Sequence, residues 1–156
     1  MNRPALIAAL ALGLAVPASG IQRPAQSSST GQLAVQVIGL RNSNGVVRLA
    51  LFDSASAWAG DRGQLGAGAV QKQQVPIRAG SAIATFATIP YGTYAVKAFH
   101  DEDRSGKFYT GLFGVPKVEV AFSNNVSISK GAASFKQAAF VLKQPYVNLV
   151  LRAQKI

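Results

Sequence analysis

Cysteine is absent from this sequence, which excludes thiol nucleophiles, zinc–thiolate centres and disulfide staples. Histidine occurs once, and only 6 acidic residues stand against 16 lysines and arginines, so acid–base chemistry has few groups to draw on. The cations are scattered singly, as at Arg41, Arg48, Lys72, Lys97, Lys117 and Arg152, and neither a basic run nor interleaved aromatic residues accompany them. That pattern excludes a nucleic-acid face and assigns most cations to the solvated sides of strands. Long amphipathic helices are also missing. The glycines of GDRGQLGAGA therefore do not form a dinucleotide fingerprint, which needs GxGxxG between a strand and a long helix.

No apolar run reaches the roughly twenty residues that cross a bilayer as a helix. The longest, ALIAALALGLAV, follows the positive MNRP and precedes the small residues of VPASG. This order predicts a secretory signal peptide over residues 1–20, and hence a periplasmic or secreted protein with no transmembrane segment after cleavage. Residues 21–31, with QSSST at their centre, have little to bury and read as a flexible leader. One domain over 32–156 follows, and with no cysteine its stability has to come from an apolar core.

From Gln32 onward the apolar period is two. Leu33, Val35 and Val37 alternate with Ala34, Gln36 and Ile38, and Val47, Leu49 and Leu51 flank Arg48, as half-buried strands require. Between these two strands RNSNG carries the turn chemistry of a hairpin, which predicts antiparallel neighbours. Asp53–Ala59 suits a short capped helical turn. Further strands are predicted at 70–77, 81–88, 93–99, 118–122, 126–129, 138–142 and 146–152. The fold class is all-β: an antiparallel β-sandwich of about seven to nine strands. Parity places Tyr94, Val96, Ala98, Val147, Leu149 and Leu151 inside, Lys97 and Arg152 toward solvent, and His100 on the inward side at its strand's end. Val35, Leu49, Val96, Phe140 and Leu149 are expected to share one core.

The stretches IPYGTYAVKAFHDEDRSGKF, GLFGVPKVEVAFSNN and ASFKQAAFVL resemble a bacterial family known as domain of unknown function 2141, over nearly all of 32–152. The resemblance implies an exported, single-domain β-sandwich similar to prealbumin-like and carboxypeptidase-regulatory folds, and brings no established activity. His100, Asp101, Glu102, Gly106, Gly114, Pro116 and Ser123-Asn124-Asn125 match the family's pattern. Asp103 and Ser105 replace two asparagines, Tyr109 replaces an aspartate, and Val118 takes the place of a later acid.

Three of the six acids and the single histidine are consecutive, at His100, Asp101, Glu102 and Asp103. With Ser105 and Gly106 they form the candidate loop site. A hydrolase triad with Ser105 or Ser123 lacks a GxSxG elbow, and on a continuing strand Asp101 points away from His100. Asp101, Asp103 and Ser105, with Gly106 sixth, open a calcium-loop pattern, but Tyr109 and Leu112 stand where the later ligands belong and Arg104 and Lys107 add positive charge. The preferred reading is a turn whose aspartates accept hydrogen bonds from local amides, with no metal, cofactor or catalytic residue. The function expected is a non-enzymatic binding or scaffolding module for an unknown component of the cell envelope. A carbohydrate-binding or adhesion-like domain is the first alternative and a small hydrolase the second. Residues 101–117 are the expected contact loop, longer than usual connections.

Overall fold

The structure, a computed structural model, describes residues 29–61, 65–110, 112 and 116–155. The signal-peptide segment 1–20 and residues 21–28 of the leader lie outside the described residues. Eight strands are described: β1 (Thr30–Ile38), β2 (Val46–Phe52), β3 (Gln71–Pro76), β4 (Ser81–Pro90), β5 (Gly92–Asp101), β6 (Val120–Phe122), β7 (Phe140–Leu142) and β8 (Tyr146–Arg152). Two short helices, α1 (Ala55–Gly60) and α2 (Phe135–Ala138), are capped by Ser54 and Ser134. A 3₁₀ turn spans Ser123–Asn125.

The strands form two sheets, one in the order β4-β1-β8 and one in the order β3-β2-β5-β6, with β7 also on β5. Their inner faces close on one apolar core, in which Leu33, Val35, Val37, Leu49, Leu51, Phe86, Val96 and Leu151 are almost fully buried. Burying each such side chain contributes about 1.5–3 kcal/mol. Phe140, Val147 and Leu149 pack against this core half-buried, as their parity predicts. The architecture is an all-β sandwich.

Three expectations are corrected. β1 and β2 are not hairpin neighbours: β1 lies between β4 and β8, and β2 between β3 and β5. Residues 39–45 instead carry the chain from one sheet to the other across the roughly 10 Å that separates packed sheets. The sandwich is not wholly antiparallel, because β8 returns parallel to β1, with Val35 opposite Leu149. Residues 126–129 form no strand. Ile128 is buried from a loop, beside Phe99 and Val120, so the alternation there reports burial without pairing.

The outer face of β5 is the other departure. Lys97 does not reach open solvent. A second apolar cluster of Ala50, Phe52, Trp58, Ala95, Ala133 and Ala138 covers that face, brought there by α1 and by the segment ending in α2. Lys97 Nζ lies 4.5 Å from the Trp58 ring centroid and 5.0 Å from that of Phe52. It donates to Trp58 O at 2.6 Å and pairs with Asp61 at 3.3 Å. Burial lowers the Lys97 ammonium pKa, and Asp61 opposes that shift.

Ser123-Asn124-Asn125 ties the two sheets together. Ser123 Oγ accepts from Val96 N and donates to Ala138 O. Asn124 donates to Gln137 O and Ala139 O, while Asn125 donates to Val150 O and accepts from Arg152 N, blunting the exposed edge of β8. Both asparagines take left-handed φ, of 59° and 51°, which this residue type tolerates well.

Candidate functional site

The register of β5 determines where the acidic loop begins. Val47 pairs with His100 and Val46 with Asp101, so these two side chains leave opposite faces of the sheet at its end. His100 follows Val96 and Ala98 inward and is 1% exposed. Asp101 goes outward, where its Oδ2 accepts from Arg48 Nε at 2.5 Å and from Gly106 N at 2.9 Å. Its Oδ1 is buried with no hydrogen-bond partner. Gly106 takes φ 74° against the Arg48 guanidinium.

The histidine is held from both sides. Nε2 lies 2.7 Å from Asn44 O, and Nδ1 lies 2.9 Å from Glu119 Oε2 and 3.8 Å from Glu102 Oε1. A carbonyl only accepts, so Nε2 carries a proton. A second proton must lie between Nδ1 and Oε2, since an unprotonated nitrogen and an ionised carboxylate are both acceptors. The Asn44-Gly45 pair, read in sequence as hairpin chemistry, instead presents that carbonyl. Gly45 has φ 71°, and a Cβ there would sit 2.0 Å from Asp101 O, so only glycine permits the approach.

Both glutamates are anchored by Arg41. Its backbone N–H donates to Glu119 at 3.2 Å and 3.3 Å, and its guanidinium meets Glu102 Oε1, with Nε at 2.6 Å. Asn42 adds a bond to Glu102 at 3.1 Å. Desolvation pushes the Glu102 pKa up, but the Arg41 and Asn42 bonds and the Arg41 and His100 charges outweigh it and leave the group below its usual range. Asp103 is exposed. The Ser105 hydroxyl and amide hold its pKa down to about 2, with Tyr109 Oη contributing at 3.3 Å.

A cleft of about 220 Å³ opens here, lined by these groups together with Lys107, Tyr109 and Val118. Of the loop residues singled out in the sequence, His100, Asp101, Glu102 and Asp103 line it; Ser105 and Gly106 shape the turn that closes its rim. The oxygens of the calcium-like spacing are engaged locally: Asp101 by Arg48 and Gly106, Asp103 by Ser105 N and Tyr109, and Ser105 Oγ by Lys107 N. The aspartates do accept from local amides, as expected of a turn. Sequence reasoning missed Glu119. Val118 is half-buried at the cleft, and the acid that reaches it is the next residue, the buried Glu119. The signal was present, because Glu119 is the only acid after Asp103 and it directly precedes the apolar strand 120–122.

A family model for uncharacterized proteins conserved in bacteria, DUF2141, matches residues 35–149, and the chain belongs to that family. No curated protein and no solved structure matches it.

Proposed function

We propose that this protein is an exported, non-enzymatic binding module of the cell envelope, and that the cleft around His100 is its binding surface. One observation carries the reading: four of the six acids of a basic chain, Asp101, Glu102, Asp103 and Glu119, converge on a single cleft. Random placement on a scaffold would not concentrate scarce charge in this way, and like charges gathered together cost energy unless a ligand or counter-charge repays it. The positively charged Arg41 and Lys107 and the ring of Tyr109 share the same walls, so the surface can grip polar ligands of mixed charge.

The serine inventory supports a binding role over hydrolysis. Ser123 is fully buried with its hydroxyl both donating and accepting, and both nitrogens of His100 are engaged by Asn44 and Glu119. Export rests on the N-terminal segment order already described. The prealbumin-like affinity of the sandwich is part of the same proposal.

The test is affinity capture from an envelope fraction with the wild-type chain and with an Arg41→Ala/Tyr109→Ala double variant. A component retained by the first and lost by the second is expected. Equal capture by both removes the cleft from the function, and recovery of the protein from the cytoplasm with Met1 intact removes export.

A further inference from the structure

We propose that His100, Glu102 and Glu119 bind one divalent transition-metal cation of the zinc type. The inference rests on the reading of the cleft as the binding surface and gives that surface a specific ligand class. The three side chains offer one nitrogen and two oxygens that all lie within 4.8 Å of one another. Bonds of about 2.1 Å arranged tetrahedrally separate ligand atoms by roughly 3.4 Å. The distances from His100 Nδ1, 2.9 Å to Glu119 and 3.8 Å to Glu102, bracket that value.

Three independent features point the same way. First, the proton on Nε2 is committed to Asn44 O, which fixes the ring and turns Nδ1 toward the glutamates. A metal-ligating histidine is characteristically oriented by such a bond from its other nitrogen to a carbonyl. Second, Nδ1 is surrounded by acceptors and calls for a cation at its lone pair, whether a proton or a metal. Third, Asp101, 2% exposed, lines the same cleft and, with its other oxygen held by Arg48 and Gly106, keeps one buried carboxylate oxygen without a donor.

Imidazole with two carboxylates suits zinc and its first-row neighbours, whereas calcium and magnesium prefer more numerous, all-oxygen ligands. Binding is an exchange. The metal takes the place of the proton between Nδ1 and Glu119, and the Arg41 guanidinium withdraws from Glu102. One proton leaves to solvent per metal bound, so affinity rises with pH. A fourth position remains open to water or to a donor atom of the module's ligand, and Tyr109 and Lys107 stand beside it on the walls of the cleft.

The chain contains a single histidine, which makes the experiment specific. An untagged, chelator-treated sample with ¹⁵N-labelled histidine is titrated with zinc chloride at neutral pH, following the ring resonances by NMR and the heat by calorimetry. The expected result is one equivalent bound, a shift of Nδ1 with Nε2 still protonated, and release of one proton. Glu102→Gln should weaken binding by at least about tenfold. Since Glu102 is partly exposed, this variant should keep the fold, whereas His100→Ala empties a buried position. Asp53→Asn, outside the cleft, should leave zinc binding unchanged, and calcium should not compete. Nδ1 that remains protonated and unshifted at about 1 mM zinc overturns the proposal and identifies the site as a proton-held ion pair. Zinc binding that is undiminished in Glu102→Gln overturns it as well. Failure here with envelope capture intact leaves the binding-module reading standing, whereas loss of capture with zinc binding intact rejects that reading alone.

Discussion

Lys97 and His100 sit three residues apart on β5, on opposite faces, and each brings a titratable group into the protein interior. Lys97 is enclosed: two aromatic rings lie under its ammonium, Trp58 O and Asp61 accept from it, and α1 covers the whole. His100 is more deeply buried, yet the acids around it open into a cleft. Burial of charge therefore does not by itself mark a site. A saturated, walled-in cation is part of the packing, whereas an imidazole whose partners also face a cavity can exchange them.

The largest expected effect breaks the His100 side of this comparison. Glu119→Ala leaves a buried imidazole nitrogen without its partner and should destabilise the protein by about 3 kcal/mol, read from chemical denaturation midpoints. Glu119→Gln, which can still accept at that nitrogen, should recover much of the loss. Equal losses in the two variants would show that the charge of the carboxylate, and not an acceptor of its shape, holds the imidazole.

On the Lys97 side a smaller effect is expected. Lys97→Met keeps the stem over Phe52 and Trp58 and removes the cost of desolvating the ammonium, but it leaves the buried Asp61 carboxylate with only its two backbone amides, so a loss of about 2 kcal/mol is expected at neutral pH. The sign of its pH dependence sharpens the point. The folded-state pKa of Lys97 is lowered, so the unfolded chain binds more protons between that value and the ordinary 10.5, and wild-type stability rises with pH through this window. The increment should vanish in Lys97→Met. A wild-type loss of stability over the same window, relative to the variant, would mean that Asp61 outweighs burial.

The smallest effect belongs to the exposed rim. Asp103 is depressed to about 2 from 3.8, so its contribution is present above the unfolded value and disappears as pH falls through the folded one. Asp103→Asn should flatten the wild-type decline in thermal midpoint between about pH 4 and pH 2, with the variant below wild type above that window and level with it at the acid end. An unchanged acid slope would place that decline on Glu102 or on other carboxylates.

Much of the sandwich was legible in the sequence because strand parity is a local property. Alternation at Val35, Leu49, Val96 and Leu151 identified core positions, and the range 146–152 coincides with β8. Parity also carried His100 inward and sent Asp101 the other way. The family pattern drew attention to Val118, where this chain has no acid, and left the neighbouring Glu119 unread.

By itself, then, the sequence determined the β class, the parity of its strands, the acidic turn with its local amide bonds, and the scarcity of charge that makes a cluster conspicuous. Tertiary structure alone decided that RNSNG crosses between sheets and lends a carbonyl to His100, that α1 encloses Lys97, and that Glu119, nineteen positions from His100, completes the cleft. The physical reason is one of range. Alternation and turn chemistry are properties of consecutive residues, whereas sheet order and the pairing of β5 with β6 arise when distant segments compete to bury the same apolar faces.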